Sequence, residues 1–206
     1  FIAIRDNFNL NKIITDLEKQ TDLTITLNNK SKWNYYPLIK FNNNVTINDN
    51  GSALGLGAPV TISTVGGDLT LTSGGAFEFD QAITLDTGEN LDLIVTSGVV
   101  TQSAALTILG TTTISNTGRD VTVSDSFNSF TGAVSISGGA IDLENDRATL
   151  LGATTATSNF ALDSNGAVTQ NADLSITGTT TITAGSGNDI TLDDTANTFT
   201  DAVDIT

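Results

Sequence analysis

The sequence predicts an all-β fold, a parallel β-helix (β-solenoid) in which short strands stack turn upon turn. Three observations carry that prediction. Beyond about residue 50 the chain repeats itself at an offset of 68–69 residues. Apolar and polar side chains alternate there in runs of three to five. Gly, Asn, Asp and Ser separate the runs, whereas the 206-residue chain holds only 2 Pro. A sandwich or an antiparallel barrel does not demand near-identical consecutive segments; a solenoid, which rests each turn on a like one, does.

The repeat is direct. Val100-Thr101-Gln102-Ser103-Ala104-Ala105-Leu106-Thr107-Ile108-Leu109-Gly110-Thr111-Thr112-Thr113-Ile114 returns at Val168–Ile182 with 11 of 15 positions identical. One residue is then inserted, and Asn128-Ser129-Phe130-Thr131-Gly132-Ala133-Val134-Ser135-Ile136 returns as Asn197–Ile205. Within each copy the strands are short. Val60–Ile62, Leu69–Leu71, Phe77–Phe79, Ile83–Leu85, Leu106–Ile108, Val121–Val123, Val134–Ile136, Ile141–Leu143, Leu174–Ile176 and Ile190–Leu192 each read apolar-polar-apolar. That period of two is a strand with one face buried. Turn signals follow them, such as Gly66-Gly67, Gly74-Gly75, Ser97-Gly98, Gly138-Gly139 and Asn165-Gly166. A 68-residue repeat predicts about three coils of roughly 20–24 residues, with equivalent residues lying above one another as ladders. Residues 51–206 then supply about seven coils.

Residues 1–50 differ. They hold six of the 8 basic residues and the only Trp and both Tyr. Leu10, Ile13, Ile14 and Leu17 form one apolar helical stripe, with Asn9 as its N-cap. Leu23–Leu27 alternates as a strand, and Asn28-Asn29-Lys30 is a turn. The division expected is a small α/β capping or assembly segment over 1–50 and the solenoid over 51–206. A cap is physically useful, because an uncovered solenoid end exposes a sheet edge.

Composition removes several functions. No Cys and no His means no disulfide scaffold, no thiolate chemistry, no Ser-His-Asp triad and no His-ligated metal. A formal net charge of −15 argues against nucleic acid as a partner. The apolar runs are far shorter than a membrane span, so no membrane insertion is expected. The chain starts at Phe1 and stops in mid-repeat at Ile205-Thr206, in phase with Ile136-Ser137. It reads as a piece whose parent continues, or as a subunit on which another stacks end to end; a head-to-tail contact that does not close makes a filament.

The strings Ala104–Ile114, Asn128–Ile136 and Gly187–Thr200 resemble repeats of filamentous-haemagglutinin-like bacterial surface adhesins and related giant β-helical exoproteins. The resemblance covers roughly residues 60–206. It implies a right-handed parallel β-helix, export, and an extracellular or cell-surface place for the protein. It further implies adhesion to a host or neighbouring cell surface, or to a glycan. The amino-terminal secretion domain of that family is not recognisable in residues 1–50.

Chemistry-bearing residues are few. Gly185-Ser186-Gly187-Asn188-Asp189-Ile190-Thr191-Leu192 approaches a nine-residue calcium repeat, with Ala184 in place of its first Gly. Asp189, with Asp193 and Asp194 after it, is therefore the candidate calcium site; no other cofactor is expected. A plain Gly-Asn turn before a strand explains the same residues. Asp142-Leu143-Glu144-Asn145-Asp146-Arg147 lacks the Gly and the closing Glu of an EF-hand loop. Carboxylates grouped at Asp142-Glu144-Asp146 and Asp193-Asp194 could serve acid–base chemistry, yet outward positions of a solenoid recur by construction and acidic groups there are solvated faces. Trp33, Tyr35 and Tyr36 could stack on a carbohydrate or partner, or form the core of the cap. The expectation is a non-catalytic extracellular rod; the alternative is a carbohydrate-active or calcium-stabilised β-helix enzyme.

Overall fold

A computed structural model describes residues 67–116 and 118–206 in full, together with the strands Leu23–Leu27, Leu38–Phe41, Val45–Asp49, Leu54–Gly55 and Thr61–Thr64. The helix expected over residues 10–17, the turn at 28–30 and Trp33, Tyr35 and Tyr36 lie outside the described residues. Leu23–Leu27 is a strand, as its alternation predicts.

The strands assemble into a ten-stranded, an eight-stranded and a five-stranded sheet, which wind as a β-solenoid of about six turns. Among the described strands every pairing is parallel save one: Leu23–Leu27 runs antiparallel to Val45–Asp49 and closes that edge of the ten-stranded sheet. Among the described residues there is no helix, and none long and apolar enough to cross a membrane. The chain passes from the ten-stranded sheet to the eight-stranded sheet, then to a third face, and back. Leu91–Val95, Val100–Gln102 and Leu106–Ile108 make one such turn.

Burial follows from that winding. Odd and even residues of each strand point to opposite sides, and only the inward set stacks inside. Leu69, Leu91, Thr112, Val134 and Leu151 form one inward column through successive turns. Phe77, Val100, Val121, Ile141 and Phe160 form another. These side chains are at most 2 % exposed. The rings of Phe77 and Phe79 meet edge to face, their centroids 4.7 Å apart, within the core.

Turn length is not constant. The column above Val100 runs Val121, Ile141, Phe160, Thr180, Val203, so a turn takes from about 19 to about 23 residues. The short turn is the one in which Thr149–Ala156 runs as a single strand, serving both the third face and the ten-stranded sheet with no loop between them; a bulge within it sets Gly152 and Ala153 against the single residue Ser135. A Cβ on Gly152 would lie 2.2 Å from Ser135 Oγ, so a larger residue there requires the serine hydroxyl to turn aside.

The column also overturns an expectation. Three turns above Val100 stands Phe160, not Val168. Val168 pairs instead with Thr149 on the third face. Likewise Leu106 lies in the five-stranded sheet and its repeat partner Leu174 in the ten-stranded one; Thr112 lies in the ten-stranded sheet and Thr180 in the eight-stranded one. One repeat is therefore three turns plus one face, and its copies do not stack as vertical ladders. Ile190–Leu192 was expected as a strand and makes only an isolated bridge from Ile190 to Val168. Among the described residues a turn pairs with it on one side only.

The corners bring glycine backbone against the turn below. A Cβ on Gly132 would lie 2.3 Å from the Gly110 carbonyl oxygen, and one on Gly110 2.1 Å from that of Glu89. Gly88 meets nothing within 4 Å but has φ +81°. Gly132→Ala is expected to cost about 2–3 kcal/mol by forcing two turns apart. Gly88→Ala should cost about 1–2 kcal/mol, from left-handed backbone strain alone. Urea melts of the two variants check the order.

Candidate functional site

The outward surface is built from corner amides and strand hydroxyls. At one corner Asp68 Oδ1 accepts hydrogen bonds from Asn90 N (2.8 Å) and Nδ2 (2.9 Å). Asn90 Oδ1 in turn accepts from Thr111 N and Oγ1, each at 2.8 Å. Asp120 Oδ1 takes Ala140 N, and Asn159 Oδ1 takes Thr179 N. In each case a side chain at a corner satisfies an amide of the turn above, where strand pairing has lapsed.

A second device recurs with the repeat. Asn128 is fully buried; its Oδ1 accepts from Leu106 N at 2.9 Å and from Gln102 Nε2, and its Nδ2 donates to Gln102 Oε1 at 3.0 Å and Val123 O at 3.2 Å. One repeat later Asn197 makes the same set: Leu174 N and Gln170 Nε2 at 2.9 Å, Gln170 Oε1 at 2.8 Å and Leu192 O at 3.5 Å. The paired amides clamp one turn to the next. The only signal for them in the sequence is the spacing Gln102–Asn128 and Gln170–Asn197, legible once the turn length is known.

A cavity lies on the face of the eight-stranded sheet. It measures about 280 Å³ and is lined by Ser126, Glu144, Asp146, Asp163, Asn165 and Gly185, among others. Glu144 pairs with Asp163 of the next turn, so two carboxylates stand one rung apart. Asn165 Nδ2 donates to Asp146 Oδ1 at 3.0 Å. Beneath, Asn145 is buried: Phe130 N donates to its Oδ1, and its Nδ2 donates to Phe130 O, Ala148 O and Thr149 Oγ1. Burial first, and then the charges of Asp163, Asp142, Asp125 and Asp146, hold the Glu144 carboxyl above the usual glutamate value. The sequence groups Asp142, Glu144 and Asp146; that Asp125 and Asp163 join them is a matter of turn length.

The acidic turn singled out in the sequence is placed elsewhere. Asp189, Asp193 and Asp194 are all exposed. Asp194 Oδ1 accepts from Ala196 N at 2.9 Å, and the Asp189 carbonyl accepts from Val168 N. Gly187, at φ +82°, and Asn188, which donates to Gly185 O, make the preceding turn. Among the described residues no group of three acidic side chains is disposed to hold a metal ion. Asp125 repeats the Asp194 turn, accepting from Phe127 N at 2.9 Å, and sends Phe127 out to 75 % exposure where the second copy has Ala196.

A family profile described as Repeats of unknown function (DUF5649) matches residues 78–137 and 138–206. The chain belongs to that repeat family. Its two matched copies meet between Ser137 and Gly138, within the strand Val134–Gly138. No curated protein and no solved structure matches the chain.

Two measurements test this chemistry. Asn128→Ala strands buried backbone groups of Leu106 and Val123 and is expected to cost about 2–3 kcal/mol; Asn197→Ala, in the half-covered copy, should cost less, as denaturant melts will read. For Glu144 the native state holds the proton more tightly than the unfolded chain. Its contribution to stability therefore falls as pH rises from the usual glutamate value toward the raised native one. Glu144→Gln should gain in melting temperature relative to wild type as pH is raised through that window.

Proposed function

We propose that the chain is a stretch of an extracellular rod, a non-catalytic part of a bacterial surface protein of the filamentous-haemagglutinin-like kind. The observation that carries this reading is the continuous stacking: strands of both family repeats lie in the same sheets, with one apolar core running through the boundary between them. A fold whose every turn rests on the one below resists bending along its length and can be extended without redesign. Its outward faces offer threonine, serine and Asx side chains to solvent, and its charge of −15 keeps it dispersed and repels phosphate backbones. The partners that suit such an object are neighbouring subunits or further repeats, end to end, and a cell surface or glycan held at a distance.

The acidic cavity is the place where an enzyme reading would have to live. Its lining includes Glu144, Asp146 and Asp163 but neither a basic nor an aromatic side chain, whereas cleaving or eliminating at a sugar calls for an acid and a base matched in role. Antibodies raised against the purified chain are expected to label intact cells of the source organism, and negative stain of the native material to show thin stalks or fibres. Label confined to lysed cells, or polysaccharide cleavage abolished by Glu144→Gln, would overturn the reading.

A further inference from the structure

The last described turn is open where its counterpart one repeat earlier is closed. Val134 and Ile136 are 1 % and 2 % exposed, because Leu151 and Thr154 pair above them. Their repeat partners Val203 and Ile205 are 44 % and 50 % exposed. The residues are the same in kind; the difference is the turn that covers them.

We infer that this apolar rung docks a further repeat of the same family, entering one face further round the rod than the repeat before it. The inference rests on the rod reading and names its partner. The occupant is argued from continuity with the existing boundary between the two repeats. There, Ile141–Asn145 opens the second repeat by pairing over Val121–Val123 in the eight-stranded sheet. The counterpart of Val121–Val123 is Ile190–Leu192, which sits on the third face beside Val168. A third repeat therefore begins on that third face, with its Ile-Asp-Leu strand over Ile190–Leu192. The arithmetic of faces follows: each repeat advances one face of three, so any outward feature returns to the same side of the rod after three repeats. Sites carried once per repeat are thereby distributed around the rod instead of lying in one file.

The native chain holds no cysteine, so an introduced pair reports alone. In the full chain, Thr122→Cys with Asp142→Cys is the control, since those residues are direct neighbours on adjacent turns. The test protein is the full chain extended by a second copy of residues 138–206. It carries Thr191→Cys and a cysteine at the added position that corresponds to Asp142. Mild oxidation should close an intramolecular disulfide in both, read on non-reducing gels and by mass. No disulfide with Thr191→Cys, with the control closed, would overturn both the one-face advance and docking over Ile190–Leu192. Scattering separates these from the rod itself: the added copy should lengthen the particle by about 16 Å, at about 4.8 Å per turn, and no lengthening would sink the rod.

Discussion

Everything in this molecule depends on the hydrogen-bonded register between one turn and the next. A strand of three residues has no stability of its own, and here many strands are that short. Each persists because its amides and carbonyls are taken up by a turn below and a turn above, while its inward side chains fall onto like side chains in the neighbouring turns. Where strand pairing lapses at a corner, Asp68, Asn90, Asp120 and Asn159 take over the amides. Where the chain must touch the turn beneath, only glycine fits, as at Gly110 and Gly132. Corner chemistry and glycine placement are thus consequences of one spacing, that between parallel strands.

The fold was legible because this register leaves a local trace. Alternation placed the strands at Phe77–Phe79, Ile83–Leu85, Leu106–Ile108, Val121–Val123 and Leu174–Ile176 at their observed positions. What alternation cannot carry is phase. The offset of 68 residues looks like three turns of even length, but turns of unequal length, shortest where Thr149–Ala156 runs on as one strand, make it three turns and a face. The acidic cavity was half legible for the same reason. Glu144 and Asp146 are neighbours in sequence, whereas Asp163 joins them only because one particular turn is short.

That phase has a chemical consequence. A repeat that lands on a different face each time cannot specialise its residues for a face. The two inward threonines show it. Thr112 lies in one sheet and Thr180 in another, both are 1 % exposed, and the hydroxyl of each is without a hydrogen-bond partner. An orphaned hydroxyl disfavours the folded state, and the same cost recurs on two faces because it travels with the repeat and owes nothing to its surroundings. The clamps Gln102–Asn128 and Gln170–Asn197 travel likewise, with the same atoms paired on different faces. Such parts need only the turn beneath them, not a particular side of the rod.

Asn145 marks the limit of that interchangeability. It is tied at once to Phe130, Ala148 and Thr149, and Thr149 Oγ1 meets Ser164 Oγ at 2.8 Å in the following turn. No clamp of the Gln–Asn kind serves this turn; a single buried amide does the work of two, because the corner it spans is shorter. The acidic cavity opens directly above it. This acidic cavity thus lies beside the turn in which Thr149–Ala156 runs on as one bulged strand. In a molecule made of interchangeable faces, distinctive chemistry arises where turn length changes, because only there do residues from adjacent turns meet in a combination that the regular winding does not repeat.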